Sequence, residues 1–243
     1  MVGNVMSKTM KAHAPHQGTA TIWPQSGEVE RTLRSVPPVL SPTVAPQPLA
    51  QAHSALARVC RLFDGVIAAS SLVSNEPVLD VRQFEWTAGL RRQWRAIRED
   101  ALVLTGTVRS CGIVPLHPGT AALRQCPGLA AALDGVPGLH DAAIGLLAPG
   151  THVAARRGPT KALLTCHLGL VVPRDGDARM RVRDRIVRWA EGETLVFDDS
   201  YSHQLWNEAE TTRIILRLRF ARPLRQPGRS VAGGVVRLLG EAA

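Results

Sequence analysis

Two histidines and one arginine have the residue types and surroundings of an enclosed binding site. His203 follows the polar turn Asp198–Ser202, which ends a hydrophobic run at Phe197. Neutral imidazole is a common metal ligand, so a histidine that leaves such a turn can point into the mouth of a β-barrel. Taken alone, a histidine in this position is more often an exposed loop histidine.

His167 lies in the middle of a strongly apolar run that extends from Ala162 to Val172. A histidine there is either a core residue whose polar atoms are satisfied or a site residue. Thr165 and Gly169 share its face of the predicted strand, and these small residues favour a ligand pocket over a packed core. A glycine within a strand also marks a place where something approaches the backbone closely.

Arg213 opens the last strong strand and shares one face of it with Arg217 and Arg219. The opposite face is uniformly apolar and consists of Ile214, Leu216, Leu218 and Phe220. Two interpretations are open. Either all three arginines face solvent, or Arg213 points into a barrel and binds a carboxylate with its bidentate guanidinium.

These residues lie in or beside segments whose residue pattern predicts a mainly β domain. Predicted strands cover residues 142–147, 151–155, 162–172, 179–182, 194–197, 204–206 and 212–220. Short, evenly spaced strands separated by Gly, Asp and Asn turns are typical of a sandwich or a barrel. Asp175-Gly176-Asp177 is predicted to form a hairpin turn, and Trp189–Glu193 a second turn before the strand that ends at Phe197.

Four segments follow from these patterns. Residues 1–48 are rich in Pro, Ser, Thr, Gln and Gly and are predicted to be a disordered tail. Residues 49–140 are predicted to be a helical segment that packs on the barrel, followed by the β core at 141–223 and a C-terminal extension at 224–243. The predicted helices cover residues 49–70, 83–103 and 120–133.

Composition limits the class of protein. The net charge of +9 is carried almost entirely by arginines dispersed along the 243 residues, so a nucleic-acid partner is not expected. The arginine excess reflects either genome base composition or a surface for polyanions. The four cysteines lack metal or disulfide spacing, and no long apolar segment occurs. We therefore expect a cytoplasmic protein with free thiols and no membrane partner.

Several of these motifs occur in the order found in the aspartyl/asparaginyl β-hydroxylase family. The resemblance extends over residues 84–223 and is most specific at His167–Leu170, the Trp189–Glu193 turn, Phe197–His203 and Arg213–Leu216. It implies a double-stranded β-helix, that is, a cupin-like jelly roll with N-terminal helices. It also implies Fe(II) and 2-oxoglutarate as cofactors. The implied reaction hydroxylates an amino-acid, peptidyl or acyl C–H of a small-molecule, peptide or carrier-bound substrate.

The resemblance also assigns roles to residues. By position, His203 resembles the distal iron-ligand histidine, and Arg213 resembles the arginine that binds the distal carboxylate of 2-oxoglutarate. His167 resembles a histidine behind the iron and near the co-substrate, and we predict that it contributes to both sites. Members of this family can lack a carboxylate ligand, with water in its place. Asp199 could supply one here, although a turn-capping role suits it better.

Arg156 is the main departure from the family pattern, because the family has its first iron-ligand histidine at this position. Arginine has no lone pair to donate to iron. His152 lies roughly 13 Å away along an extended strand, too far to substitute. It matches a histidine that some members carry in addition to the ligand. Gly145 stands where the family often has serine, which weakens the expected co-substrate site.

Three outcomes are open at this point. In the first, His203 and His167 hold a metal together, with or without Asp199. In the second, the protein is a degenerate, non-catalytic jelly roll that binds an anionic ligand through Arg156 and Arg213, with His152 as a further candidate contact. In the third, a histidine elsewhere fills the gap at Arg156.

Overall fold

A computed structural model of the protein describes residues 58–106, 111–117 and 119–241, all of which belong to one structural unit. The predicted tail at 1–48 lies outside the described residues. The helices are α1 (Asp64–Ala69), α2 (Thr87–Thr105), α3 (Ala121–Arg124), α4 (Pro127–Asp134) and α5 (Gly228–Glu241). The strands are β1 (Val78–Leu79), β2 (Gly112–Leu116), β3 (Leu139–Leu147), β4 (Thr151–Arg156), β5 (Leu163–Val171), β6 (Ala178–Val182), β7 (Arg185–Arg188), β8 (Thr194–Phe197), β9 (His203–Asn207) and β10 (Arg213–Ala221).

The ten strands form two antiparallel sheets. The larger sheet has the order β1-β8-β5-β10-β3-β2, and the smaller sheet has the order β4-β9-β6-β7. From β3 to β10 the chain crosses between the sheets at every connection except the β6–β7 hairpin. This crossing pattern is that of a double-stranded β-helix, so the predicted jelly roll is confirmed.

The two faces of the larger sheet have different partners. The outer face of β5 and β10 packs in one core with buried residues of α2 and α4, and it includes Leu164, Cys166, Leu168, Leu170, Leu216, Leu218 and Phe220. Alternate residues of a strand point to opposite sides. His167 and Arg213 therefore project into the space between the sheets, where Ile215 and Phe197 belong to a second core.

The segment at 49–140 differs from its prediction in two respects. Its described part, from residue 58 onward, contains a helix in each predicted range, and residues 49–57 lie outside the described residues. The segment also contributes β1 and β2, which extend the larger sheet at both edges. The periodicity of such short edge strands is too brief to distinguish them from loops. The third predicted helix is divided into α3 and α4, because α4 begins anew at Pro127, a residue suited to a first helical turn.

Two features of the β core and the C-terminal extension also require correction. Asp175-Gly176-Asp177 connects β5 to β6 in different sheets and is not a hairpin turn. The hairpin lies instead between β6 and the unpredicted β7, with Arg183 at a φ of 56°. The extension forms α5, whose residues Ala232 and Val235 share a buried cluster with Ile67 of α1.

Gly169 is where the Trp189–Glu193 turn crosses β5. Its amide donates to the Glu193 carbonyl oxygen at 3.1 Å, and its own carbonyl oxygen accepts from the Gly192 amide at 2.9 Å. A Cβ atom at Gly169 would overlap the carbonyl oxygen of Ala190. The close approach predicted at this glycine is therefore present, and it is made by the turn that carries Trp189 rather than by a ligand.

This contact generates a stability prediction. Gly169→Ala should lower the free energy of unfolding by about 1–3 kcal/mol, because the added methyl group must displace backbone. Gly233→Ala in α5 is the matched control, since nothing lies within 4 Å of its added Cβ. Because alanine has a higher helix propensity than glycine, the control should raise the free energy of unfolding by up to about 1 kcal/mol. Urea denaturation of both variants checks this, and equal stabilities would contradict the packing described for Gly169.

Candidate functional site

The space between the sheets contains two adjoining chambers. The first has a volume of about 260 Å³ and is lined by Arg213. We call it the Arg213 chamber. The second, the His203 chamber, has a volume of about 230 Å³ and is lined by His203 and Asp199. Arg156, His167 and Arg217 line both chambers, so four of the predicted site residues converge on one region: His203, His167, Arg213 and Arg156.

Arg213 enters its chamber from the start of β10 and is only 3% exposed. Its Nε and Nη1 atoms are buried and have no hydrogen-bond partner in the part of the chain that the structure describes. We call these two atoms the open donors of Arg213. The guanidinium carbon lies 4.0 Å from the centre of the Trp189 ring, so a cation–π contact stabilises its flat face. Burial lowers the pKa of Arg213 to about 9, which still leaves it cationic at neutral pH.

His167 has a defined tautomer. Its Nδ1 atom accepts a hydrogen bond from the Trp189 indole Nε1–H at 3.3 Å. Burial, and then the charges of Arg213 and Arg217, hold the pKa of His167 well below its usual range, so the ring is neutral. A neutral imidazole that accepts at Nδ1 carries its proton on Nε2. His167 therefore offers a donor to a ligand oxygen, which favours its predicted co-substrate role over its predicted metal role.

His203 has the opposite tautomer. It is 8% exposed, so it is not a loop histidine in solvent. Its Nδ1 lies 3.1 Å from the Tyr201 carbonyl oxygen, which can only accept, so Nδ1 carries the proton. Burial lowers the pKa of His203 and keeps the ring neutral. Nε2 therefore retains the lone pair that a metal ion requires.

Asp199 is the acidic residue that lines the His203 chamber. Its Oδ2 accepts from the Thr165 hydroxyl at 3.1 Å. Burial raises the pKa of Asp199, and the nearby charge of Arg219 opposes part of this shift. The backbone turn is capped by its neighbour Asp198, which accepts from the Ser200 amide at 3.0 Å. The turn-capping role that we expected for Asp199 is therefore taken by Asp198, and the Asp199 carboxylate faces the His203 chamber.

Arg156 is the direct partner of His203 in the pairing of β4 with β9. A register shift lies between Val153 and Arg156 on the same strand. Arg156 therefore occupies the position across from His203 where the family has a histidine. His152, by contrast, pairs with Trp206 and stacks on it with ring centres 5.0 Å apart. His152 is absent from the described lining of both chambers, so the structure does not support it as a substrate or anion contact.

The residues present can be compared with the needs of each cofactor. The open donors of Arg213 match the carboxylate of a 2-oxo dicarboxylic acid. Within the described ranges, no group of three or more His, Cys, Asp or Glu side chains could hold a metal ion. His203 and Asp199 still offer an imidazole nitrogen and a carboxylate, which Fe(II) accepts. The resemblance implies two histidine ligands with water in place of a carboxylate, so Asp199 would have to take the part of the histidine that Arg156 replaces.

Comparison with known proteins agrees with this geometry. A profile of the aspartyl/asparaginyl beta-hydroxylase family matches residues 101–223. The chain belongs to this family. It is 32% identical to the ornithine lipid ester-linked acyl 2-hydroxylase of Rhizobium tropici, over 73% of this chain and 74% of that protein. It is also 30% identical to the human aspartyl/asparaginyl beta-hydroxylase, over 50% of this chain and 14% of that protein.

Similarity to solved structures is weaker. The Cupin_2 domain of an XRE family transcriptional regulator from Enterobacter cloacae covers 45% of this chain and 95% of its own chain, with 14% identity and a TM-score of 0.32. The assignment of the jelly roll therefore depends on the observed strand order. The β-hydroxylase family and these relatives support a hydroxylating enzyme. None of the helices in the described ranges has the length and hydropathy of a membrane span.

Sequence reasoning missed two residues of the site. Trp189 was assigned only to a turn, yet its ring contacts Arg213 and its indole nitrogen fixes His167. Arg217 was placed on the face of Arg213 but given no role, yet it lines both chambers. For Arg217, the available signal was its position on the same face of the last strand as Arg213. For Trp189 no local signal existed, because its contacts come from the crossing of the turn over β5.

The open donors of Arg213 generate the second prediction. Arg213→Met should raise the free energy of unfolding by about 1–3 kcal/mol, because an apolar side chain of similar length removes a buried charge. Loss of the Trp189 contact offsets part of this gain. Arg92→Met on the exposed face of α2 is the control and should change stability by less than about 0.5 kcal/mol. Marked destabilisation by Arg213→Met would show that its donors have partners.

Proposed function

We propose that the protein is a 2-oxoglutarate-dependent hydroxylase that acts on the C–H of an acyl or amino-acid group. One observation carries the proposal: the guanidinium of Arg213 is buried beside a chamber with mostly apolar walls and has two donors without a partner among the described residues. A carboxylate is the group that a guanidinium fork binds best. The distal carboxylate of 2-oxoglutarate supplies that group, and family membership supports the hydroxylation.

The residues of this chain bind and orient the co-substrate. Arg213 binds the distal carboxylate, and its position is fixed by the ring of Trp189. The Nε2–H of His167 donates to a ligand oxygen. Leu147, Val153 and Ile215 line the chamber and exclude water from the methylene groups. Gly145 also lines it, and a Cβ there would lie 3.2 Å from the Ile215 Cγ1. Ile215 therefore takes the space that the family gives to serine.

The proposed metal is Fe(II), which would be held by His203 and Asp199. Iron supplies the activation of oxygen in this class of reaction. His203 donates its Nδ1 proton to the backbone carbonyl of Tyr201, and this contact fixes the ring with Nε2 available. The hydrogen bond from Thr165 orients the carboxylate of Asp199. His167, whose Nε2 carries a proton, would contact the co-substrate instead of the metal.

An acyl substrate is favoured over an acidic peptide. The similarity to the acyl 2-hydroxylase of Rhizobium tropici extends over 73% of this chain, compared with 50% for the human aspartyl/asparaginyl relative. Positions that are often basic in relatives that bind acidic peptides are Leu163 and Thr165 here. Both are buried, and Thr165 is occupied by its bond to Asp199. These two residues therefore offer no positive charge to an acidic side chain.

A second candidate function is binding of an anionic ligand without oxygen chemistry, through Arg156 and Arg213. The pairing of Arg156 with His203 favours it, because a guanidinium across from the metal ligand repels a divalent cation. Arg217 and Arg219 add further positive charge to the His203 chamber. Both of these arginines share Asp141, at 3.1 Å and 2.5 Å respectively.

A turnover assay separates the two candidates. Purified protein is incubated with Fe(II), ascorbate, 2-oxoglutarate and an acyl amino acid, and succinate is measured. Hydroxylation predicts iron-dependent succinate that Arg213→Met reduces by at least about tenfold, the effect of losing a charge-assisted hydrogen bond. Arg92→Met should retain parental activity. Binding of 2-oxoglutarate without succinate, at any iron concentration, would contradict the hydroxylase and support the second candidate.

A further inference from the structure

Arg156 and Arg213 approach the same chamber from opposite sheets. Arg213 lies on β10 of the larger sheet, and Arg156 lies on β4 of the smaller sheet. Both line the Arg213 chamber. Its remaining walls are mostly apolar and include Ile113, Leu146, Val153, Leu205 and Ile215. The chamber thus has three cationic groups, Arg156, Arg213 and Arg217, together with mostly apolar walls.

Arg156 differs from its cationic neighbour Arg217 in its partners. Arg217 donates to Asp141 at 3.1 Å, which compensates part of its charge. The ion pairs among the described side chains do not include Arg156. Arg156 is exposed at the rim, where a flexible side chain can close on a ligand. Its charge is therefore available to a ligand.

We propose that Arg156 and Arg213 form a clamp that binds the two carboxylates of a short dicarboxylate without a metal ion. A carboxylate pairs with each guanidinium, and the methylene groups between them contact the apolar wall. The inference rests on the proposed co-substrate chamber, but not on hydroxylation. In the clamp, Arg156 supplies the positive charge that pairs with the C1 carboxylate of a 2-oxo acid.

The clamp and a metal chelate make different demands on the ligand. Chelation of a metal uses the 2-oxo group together with the C1 carboxylate, whereas the clamp uses only the two carboxylates. Glutarate has the same chain length as 2-oxoglutarate and lacks the oxo group. 2-Oxopentanoate keeps the oxo group and lacks the distal carboxylate. The clamp therefore selects glutarate over 2-oxopentanoate, and a chelate selects the reverse.

Calorimetric titration of the full chain tests the clamp. With EDTA present, 2-oxoglutarate and glutarate should bind within about threefold of each other, and 2-oxopentanoate at least about tenfold more weakly, since it loses one charge-assisted pair. Replacing EDTA with Mn²⁺, a redox-inert stand-in for Fe(II), should leave the affinities unchanged. Binding of 2-oxoglutarate only with Mn²⁺, or rejection of glutarate, would overturn the clamp.

Variants of the two arginines show which arginine binds which carboxylate of the ligand. With EDTA present, Arg156→Ala and Arg213→Met should each lower the affinity for glutarate by at least about tenfold. Arg92→Ala should leave that affinity unchanged. Arg213→Met should leave the weak binding of 2-oxopentanoate unchanged, and Arg156→Ala should remove it. Arg156→His should make binding of 2-oxoglutarate depend on Mn²⁺. Parental affinity for glutarate in Arg156→Ala would overturn the clamp, whether or not the protein forms succinate.

Discussion

The open donors of Arg213 are the constraint on which the site depends. A guanidinium removed from water has a large desolvation penalty, and a partner anion is the usual way to offset it. Here the ring of Trp189 stabilises the flat face, while the edge of the guanidinium is directed at a chamber with apolar walls. The long pairing of β10 with β3 and β5 holds Arg213 in place despite this penalty. The fold thus fixes the position of the Arg213 guanidinium, and a carboxylate ligand would neutralise its charge.

Backbone register determines which residue lies across from His203 in the site. The pairing of β4 with β9 places Arg156 across from His203, and no rotation of a side chain alters that register. Hydrogen bonds set the two histidines in opposite tautomers, so His203 offers a lone pair and His167 offers a proton. A free lone pair on His203 and two open donors on Arg213 are therefore available to ligands, while Arg156 stands where the resemblance implies a second histidine.

Strand parity explains how much of this could be predicted from the sequence. Alternation in the last strand identified its core face and placed Arg213 on the opposite face, but it did not show whether that face meets solvent or the space between the sheets. The order of motifs identified the family and the jelly roll. The edge strands β1, β2 and β7 were not predicted: β1 has only two residues, and β2 contains Pro115, a residue that argues against a strand. The tautomers of His167 and His203, and the role of Trp189, depend on contacts between distant segments, to which local periodicity does not extend.

A crystal structure of the protein grown with glutarate and EDTA tests the central claim most directly. The account predicts one carboxylate within hydrogen-bonding distance of the open donors of Arg213, the second carboxylate on Arg156, and the methylene groups against Ile215. A chamber that remains without ligand at saturating glutarate would contradict it, as would a ligand bound elsewhere while another group of the protein satisfies Nε and Nη1 of Arg213.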